Sequence, residues 1–285
     1  MRCRRAPRLK KTRIGNVEVT ALLDTPVLMN PHVFMPKVAE QMIAEYPQLL
    51  DGRQLMTMSI TTYLLRSAGK NILIDTGLGA RKRPFFPQGR LDESLRDAGV
   101  DPADIDTVVH THLHIDHVGW NTVDADDGSR RIFFPNARFV VQQKEWDYWM
   151  QPVHMEDPAN AHLVECVAPL QSSGRLQLVS GEQPLDEQIT FIATPGHTPG
   201  HVAIGVYSAG ERAVIVGDAS HHPVQLDHPD WSPSADVDPV LSARTREGLF
   251  EAAESDGRAW IAGHWQYPGF GRILRLNGKR VFQAL

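Results

Sequence analysis

The chain has 285 residues, a formal charge of −5, 42% hydrophobic residues and an even scatter of 22 glycines and 20 prolines. This composition supports one large apolar core. It excludes the basic footprint of a protein that grips a phosphate backbone, so nucleic acid is not expected as a partner. With only Cys3 and Cys166, no disulfide framework can be read, and no run approaches the roughly 20 apolar residues of a membrane span.

The first thirteen residues, MRCRRAPRLKKTR, are basic and lead into no apolar segment of a secretory signal. They read as a solvated, disordered tail over 1–13, ahead of a single domain over 14–285, in a cytoplasmic protein. Strand patterns follow at Asn16–Leu23, Met58–Leu65, Asn71–Asp75, Ile105–His110 and Arg138–Gln142. A second set covers Arg175–Val179, Ile189–Ala193, His201–Tyr207, Arg212–Gly217, Ala259–Ala262 and Arg272–Leu276, with strand and tail after it. Helical patterns lie between them at Lys37–Leu50, Leu91–Ala98, Gln143–Met150, Ala159–Leu170 and Pro239–Glu254. Two successive mixed sets predict an α/β chain of two packed sheets with helices outside. His221–Asp238, rich in Pro and Asp, reads as a long loop of the kind that is usually functional.

The segment His110–Gly119, HTHLHIDHVG, runs from an apolar strand into a cluster of histidines and one aspartate. In extended chain His112, His114 and Asp116 share a side, whereas His117 is out of phase and needs a turn and a second target. Two metal sites fit that phase better than one, and imidazole and carboxylate are suitable zinc ligands. Three more candidates follow apolar strands: His197 in ATPGHTPGH, Asp218 in AVIVGDASHH and His264 in AWIAGH. Loops at strand ends can aim such side chains at one point.

The order HxHxDH, His, Asp, His, with ILIDTG at Ile72–Gly77 before it, resembles the metallo-β-lactamase superfamily. The resemblance implies a four-layer αββα sandwich with the active site at the edge where the sheets meet. It implies that His112, His114 and His197 hold one divalent ion, that Asp116, His117 and His264 hold a second, and that Asp218 bridges them, with zinc the expected metal. Asp75 is similar to the family carboxylate that orients a ligand, while His110 and His201 read as structural. Two divalent ions against Asp116, Asp218 and one hydroxide leave about one net positive charge, which suits an oxyanion. Zinc also lowers the pKa of a bound water to about 7, so hydroxide, with no side-chain nucleophile, is the expected attacking group.

Asp218 at the bridging position is unlike β-lactamases of this fold, which carry Cys or Ser there. Glyoxalase II-like thioesterases add a helical domain after the last ligand; the 21 residues after His264 read as strand and tail, so that substrate site is not expected here. The chain resembles instead the lactonase and methyl-parathion-hydrolase branch. Homoserine-lactone lactonases carry Tyr three residues after the bridging Asp; GDASH places His221 there, as the parathion-type enzymes do, and HWQYPGFG at His264–Gly271 is similar to theirs. The expected reaction is hydrolysis of a small, fairly apolar ester, lactone or phosphotriester, with Asp116 and His221 acting on the substrate. A mononuclear iron sulfur dioxygenase or another non-hydrolytic metal protein is the alternative, and metal count separates the two. Phe34, Trp120, Trp231 and Trp265 are candidate walls of an apolar pocket, and His222 is expected to point elsewhere. A small molecule is the expected partner, a homodimer is compatible with the chain, and no membrane is implied.

Overall fold

The computed structural model describes residues 9–125 and 127–285. In chain order the strands of its first half are β1 Lys10–Ile14, β2 Val17–Met29, β3 Met56–Ser67, β4 Lys70–Ile74, β5 Thr107–Val109, β6 Thr122–Asp124, β7 Arg130–Ile132, β8 Arg138–Gln142 and β9 Leu176–Val179. The second half adds β10 Ile189–Ala193, β11 Val202–Ser208, β12 Glu211–Ile215, β13 Ala259–Ile261, β14 Phe270–Leu276 and β15 Lys279–Ala284. One sheet has the order β1-β2-β3-β4-β5-β8-β9 and the other β10-β11-β12-β13-β14-β15, while β6 and β7 pair by themselves. Pairing is parallel along β4-β5-β8-β9 and between β12 and β13, and antiparallel elsewhere.

The inner faces meet in one apolar cluster that includes Val19, Leu65, Ile74 and Val140 from the first sheet and Phe191, Ile204, Ile215 and Ile261 from the second. Outside the first sheet, Leu91 and Leu95 of the helix Leu91–Asp97 pack on Leu22, Leu73 and Phe139. Outside the second, Leu249, Phe250 and Ala253 of the helix Pro239–Asp256 pack on Val214, Trp260 and Ile273. The result is the four-layer αββα arrangement. That last helix begins where Asp238 accepts from the Leu241 N–H with Pro239 in the first turn, and it stops at Gly257, whose φ of 64° suits glycine.

Four local readings change. Lys10–Arg13, assigned by sequence to the tail, form β1 against Glu18–Ala21, because alternation continues backward across the Gly15 turn; residues 1–8 lie outside the described residues. The C-terminal "tail" is β15, turned back by Asn277 and Gly278, both at positive φ. The expected helix Ala159–Leu170 breaks into a 3-10 turn at Pro158–Asn160, a π turn at Leu163–Val167 and a short helix at Ala168–Ser172. Pro169 has no N–H for the Glu165 carbonyl, which accepts from the Thr122 hydroxyl at 2.8 Å instead. Similarly, the Lys37–Leu50 pattern yields a helix only at Ala39–Glu45, followed by a 3-10 turn after Pro47.

Candidate metal centre

Each ligand candidate leaves the end of a strand. His112, His114, Asp116 and His117 follow β5, His197 follows β10, Asp218 follows β12 and His264 follows β13. The segment after β5 turns helical at Ile115–Val118, so that His117, its ring 4.0 Å from that of His112, turns Nε2 to Oδ1 of Asp218 while His112 faces Oδ2. His112, His114, His197 and Asp218 form one group of mutually close donor atoms, and Asp116, His117 and His264 form another. Asp218 lies between them: Oδ1 is 3.1 Å from Nε2 of both His117 and His264, and Oδ2 is 3.3 Å from His197 Nε2 and 3.7 Å from His112 Nε2.

The outer ring nitrogens decide what the inner ones can do. His117 Nδ1 meets Asp75 Oδ2 at 2.8 Å, His197 Nδ1 meets Asp236 Oδ1 at 2.8 Å, and His264 Nδ1 meets the Ser59 carbonyl at 3.0 Å. The Thr111 hydroxyl gives its proton to Asp75 Oδ2 and accepts from His112 Nδ1 at 3.1 Å. The outer nitrogens of His112, His117, His197 and His264 therefore carry a proton, and their Nε2 atoms converge inward on Asp218. His114 Nδ1 stands 3.0 Å from His112 Nε2 and 2.8 Å from His197 Nε2, so one hydrogen at most serves three nitrogens. His117 Nε2 and Asp218 Oδ1 are buried and have no hydrogen-bond partner. Converging acceptors of this kind need cations. Tetrahedral ligands at about 2.1 Å from zinc lie about 3.4 Å apart, close to the separations here.

Electrostatics agree. Burial pushes His112 and His114 well below the ordinary histidine range. At His264 burial is overcome by Asp218 and Asp116, which push it up to about 9, and His117 is raised in the same way. The protein without metal thus draws protons to the places where the second group would hold positive charge.

Asp75 also accepts from the Thr111 N–H, so one carboxylate steadies both ligand groups. His110 lies beneath the cluster, stacked on Phe139, and His201 Nε2 accepts from the Asp218 N–H at 2.9 Å. His222 turns away and caps the Val224 N–H. His221 sits closer to the metal centre than its sequence offset implied: Nε2 is 3.0 Å from Asp218 Oδ2, its ring lies parallel to His264, and its Nδ1 has no partner. Burial lowers its pKa against the pull of Asp218.

A cavity of about 350 Å³ opens over this floor of His114, Asp116, Asp218, His221 and His264. Its walls are Val27, Met29, Met58 and Ile60 from β2 and β3, with Val33, Phe34, Phe86, Ile115, His162 and Pro233–Ala235. Phe34, expected as a wall, is one, and its ring meets His221 edge-on at 5.8 Å. The three tryptophans are corrections. Trp120 packs under the first sheet and donates to Asp24, Trp231 stacks on His228, and Trp265 is buried against Trp260 and Phe282. Indoles this large were captured by the core instead of the pocket. A larger depression of about 630 Å³, lined by Arg13, Arg212, Arg258 and Arg272, lies at the other ends of β12 and β13 and holds none of these ligand candidates.

Sequence reasoning missed Glu145, Asp236 and Arg246. Glu145 Oε1 accepts from the Leu113 N–H and Oε2 from Thr198 and Gly200, tying the His112–His114 turn to the His197 turn. Only Asp236 carried a local signal, its place in a polar loop between two ligands.

The model of the metallo-beta-lactamase superfamily matches residues 56–123 and 140–276. The chain belongs to that family. Among curated proteins it is 24% identical over 229 residues to an N-acyl homoserine lactonase of Bacillus thuringiensis, covering 74% of this chain and 83% of that one. It is 30% identical over 189 residues to the N-acyl homoserine lactonase AttM of Rhizobium radiobacter, covering 62% and 64%. Among solved structures, the hydrolase AbOPH of the beta lactamase superfamily superposes with a TM-score of 0.85 at 27% identity over 99% of both chains. AidC, a dizinc quorum-quenching lactonase in complex with a product, gives 0.80 at 26% identity over 97% of both. With this donor set and these relatives, the chain is a metal-dependent hydrolase. Among the described residues no helix is long and apolar enough to cross a membrane.

Proposed function

We propose that this metallo-beta-lactamase-fold protein is a dinuclear hydrolase of small, fairly apolar lactones, esters or phosphotriesters, with zinc the expected metal. The observation that carries the reading is the division of Asp218 between two complete donor groups at the floor of an apolar cavity. His112, His114 and His197 would hold one ion, Asp116, His117 and His264 the other, and Asp218 both. Bound there, two such ions would supply hydroxide near neutral pH and an electrophile for the scissile oxygen. The residues of the chain do the rest. Val27, Met58, Ile60 and Phe34 exclude water and bind the apolar part of the substrate. His221, neutral in its buried place, aligns Asp218 and presents a ring edge to the reacting group. Asp116, partly exposed in the cavity, stands where it can pass a proton to the leaving group.

The relatives' names favour a lactone, and His221 in place of the lactonase Tyr favours a phosphotriester or aryl ester. The second donor group supports two ions over a mononuclear dioxygenase site. The test is metal analysis together with turnover of homoserine lactones, aliphatic lactones, aryl esters and phosphotriesters. Close to two equivalents and hydrolysis of one class are expected. A fully active preparation with one equivalent, or a metal-replete protein inert to the whole panel, would sink the proposal.

A further inference from the structure

His197 is the one member of its ligand group whose outer nitrogen rests on a carboxylate; His112 rests on a threonine hydroxyl. That carboxylate, Asp236, comes from the long loop after Asp218. Its Oδ2 lies 3.3 Å from Arg246 Nη2, and both side chains are shut off from solvent. Arg246 also donates to the Ala219 carbonyl at 2.7 Å, to the Pro229 carbonyl at 2.5 Å and to Ser242 Oγ at 2.9 Å. One guanidinium therefore joins the residue beside Asp218, both ends of the Pro229–Asp236 stretch and its own helix. The loop is laced to the ligand turn as well, since Val237 N–H donates to the His197 carbonyl and Asp238 N–H to that of Gly196. Pro233, Ser234 and Ala235, just before Asp236, are cavity wall.

A carboxylate on the outer nitrogen sets the tautomer of a ligating imidazole and raises its basicity. A buried carboxylate needs a partner charge, which Arg246 supplies only with the loop seated. Equilibrium linkage is reciprocal: whatever the seated loop contributes to an ion on His197, that ion returns to the loop. We propose that Asp236, held by Arg246, makes the His112–His114–His197 site conditional on the seated Pro229–Asp238 loop, so that filling this site and forming that cavity wall are one linked event. Asp236 and Arg246 are positioning residues in this scheme. It builds on the dinuclear reading, but metal binding tests it without turnover.

The experiment is a titration of metal-free protein with zinc against a chromophoric chelator, for wild type, Asp236→Asn, His197→Ala, His264→Ala and the two doubles with Asp236→Asn. Asp236→Asn should weaken one of two equivalents by roughly 10- to 100-fold and leave the other within about twofold. In the His264→Ala background the remaining equivalent should weaken by the same factor; in the His197→Ala background nothing further should be lost. Zinc should slow hydrogen exchange across 229–238 in wild type and fail to do so in Asp236→Asn. Equal weakening of both equivalents, no weakening, or unchanged loop protection overturns the proposal. If metal-free Asp236→Asn lacks the wild-type circular dichroism, Arg246→Lys takes its place and must weaken the same single equivalent. A wild type that binds one equivalent overturns the dinuclear reading instead, and its dependence on Asp236 still decides this proposal.

Discussion

Asp24 offers a test of how burial and hydrogen bonding divide a carboxylate's energy. It sits at the register shift of β2 against β3, buried, with Oδ1 accepting from the Leu91 N–H and Trp120 Nε1 and Oδ2 from the Leu78 N–H, all within 2.9 Å. It thereby pins the start of an outer helix, the turn after Asp75 and the end of the ligand segment at one point. Burial pushes its pKa up to about 6 from 3.8, against the pull of these donors. The folded state then holds the proton longer than the unfolded state, so the contribution to stability is complete below about pH 4 and is lost as pH rises through about 6. Two pKa units correspond to about 3 kcal/mol. Asp24→Asn carries no proton to lose. The stability of wild type minus that of Asp24→Asn, from urea unfolding of the metal-free proteins, should fall by about 3 kcal/mol between pH 4 and pH 8, while shared histidine titrations cancel. Three N–H bonds to an ionised carboxylate, at about 1.5–3 kcal/mol each, are the opposing force. If the difference is flat, or wild type gains on the variant as pH rises, the donors win and the reasoning is refuted.

Asp218→Ala should cost both metal equivalents and the activity while leaving far-ultraviolet circular dichroism intact, because the residue touches both donor groups but packs in no apolar cluster; retention of two tightly held ions would contradict the bridge. His221→Phe should lower kcat/KM at least about tenfold, about 1.4 kcal/mol, and His222→Phe should leave it unchanged, with steady-state assays on the best substrate as the check. Metal content of His221→Phe needs measuring beside the rate, since Nε2 lies against Asp218. Phe34→Leu should raise KM more than it lowers the thermal midpoint, whereas Trp265→Phe should lower the midpoint and leave KM alone; the reverse pattern would put Trp265 back in the pocket.

The seven ligand candidates were legible because each follows an apolar strand and because HxHxDH compresses four of them into six residues. Strand and helix periodicities likewise marked most elements of both sheets. Proline's missing N–H is a sequence fact, yet the breakage it caused around Pro169 depended on Thr122 being near enough to satisfy the freed carbonyl. The tryptophans show the limit more sharply. Trp265 adjoins a ligand in sequence, but neighbouring residues on a strand's exit point to opposite sides, and only the second sheet with its covering helix determined that this indole faces the core. Asp236 and Glu145 are ordinary acidic residues until the loop and helix that carry them close on His197 and on the two ligand turns. The sequence by itself determined which side chains can bind metal, since that depends on side-chain chemistry and strand phase, both local. Which nitrogen faces inward, which carboxylate holds it there and which apolar side chains wall the substrate were decided by the tertiary structure, because those properties belong to pairs of residues tens to hundreds of positions apart.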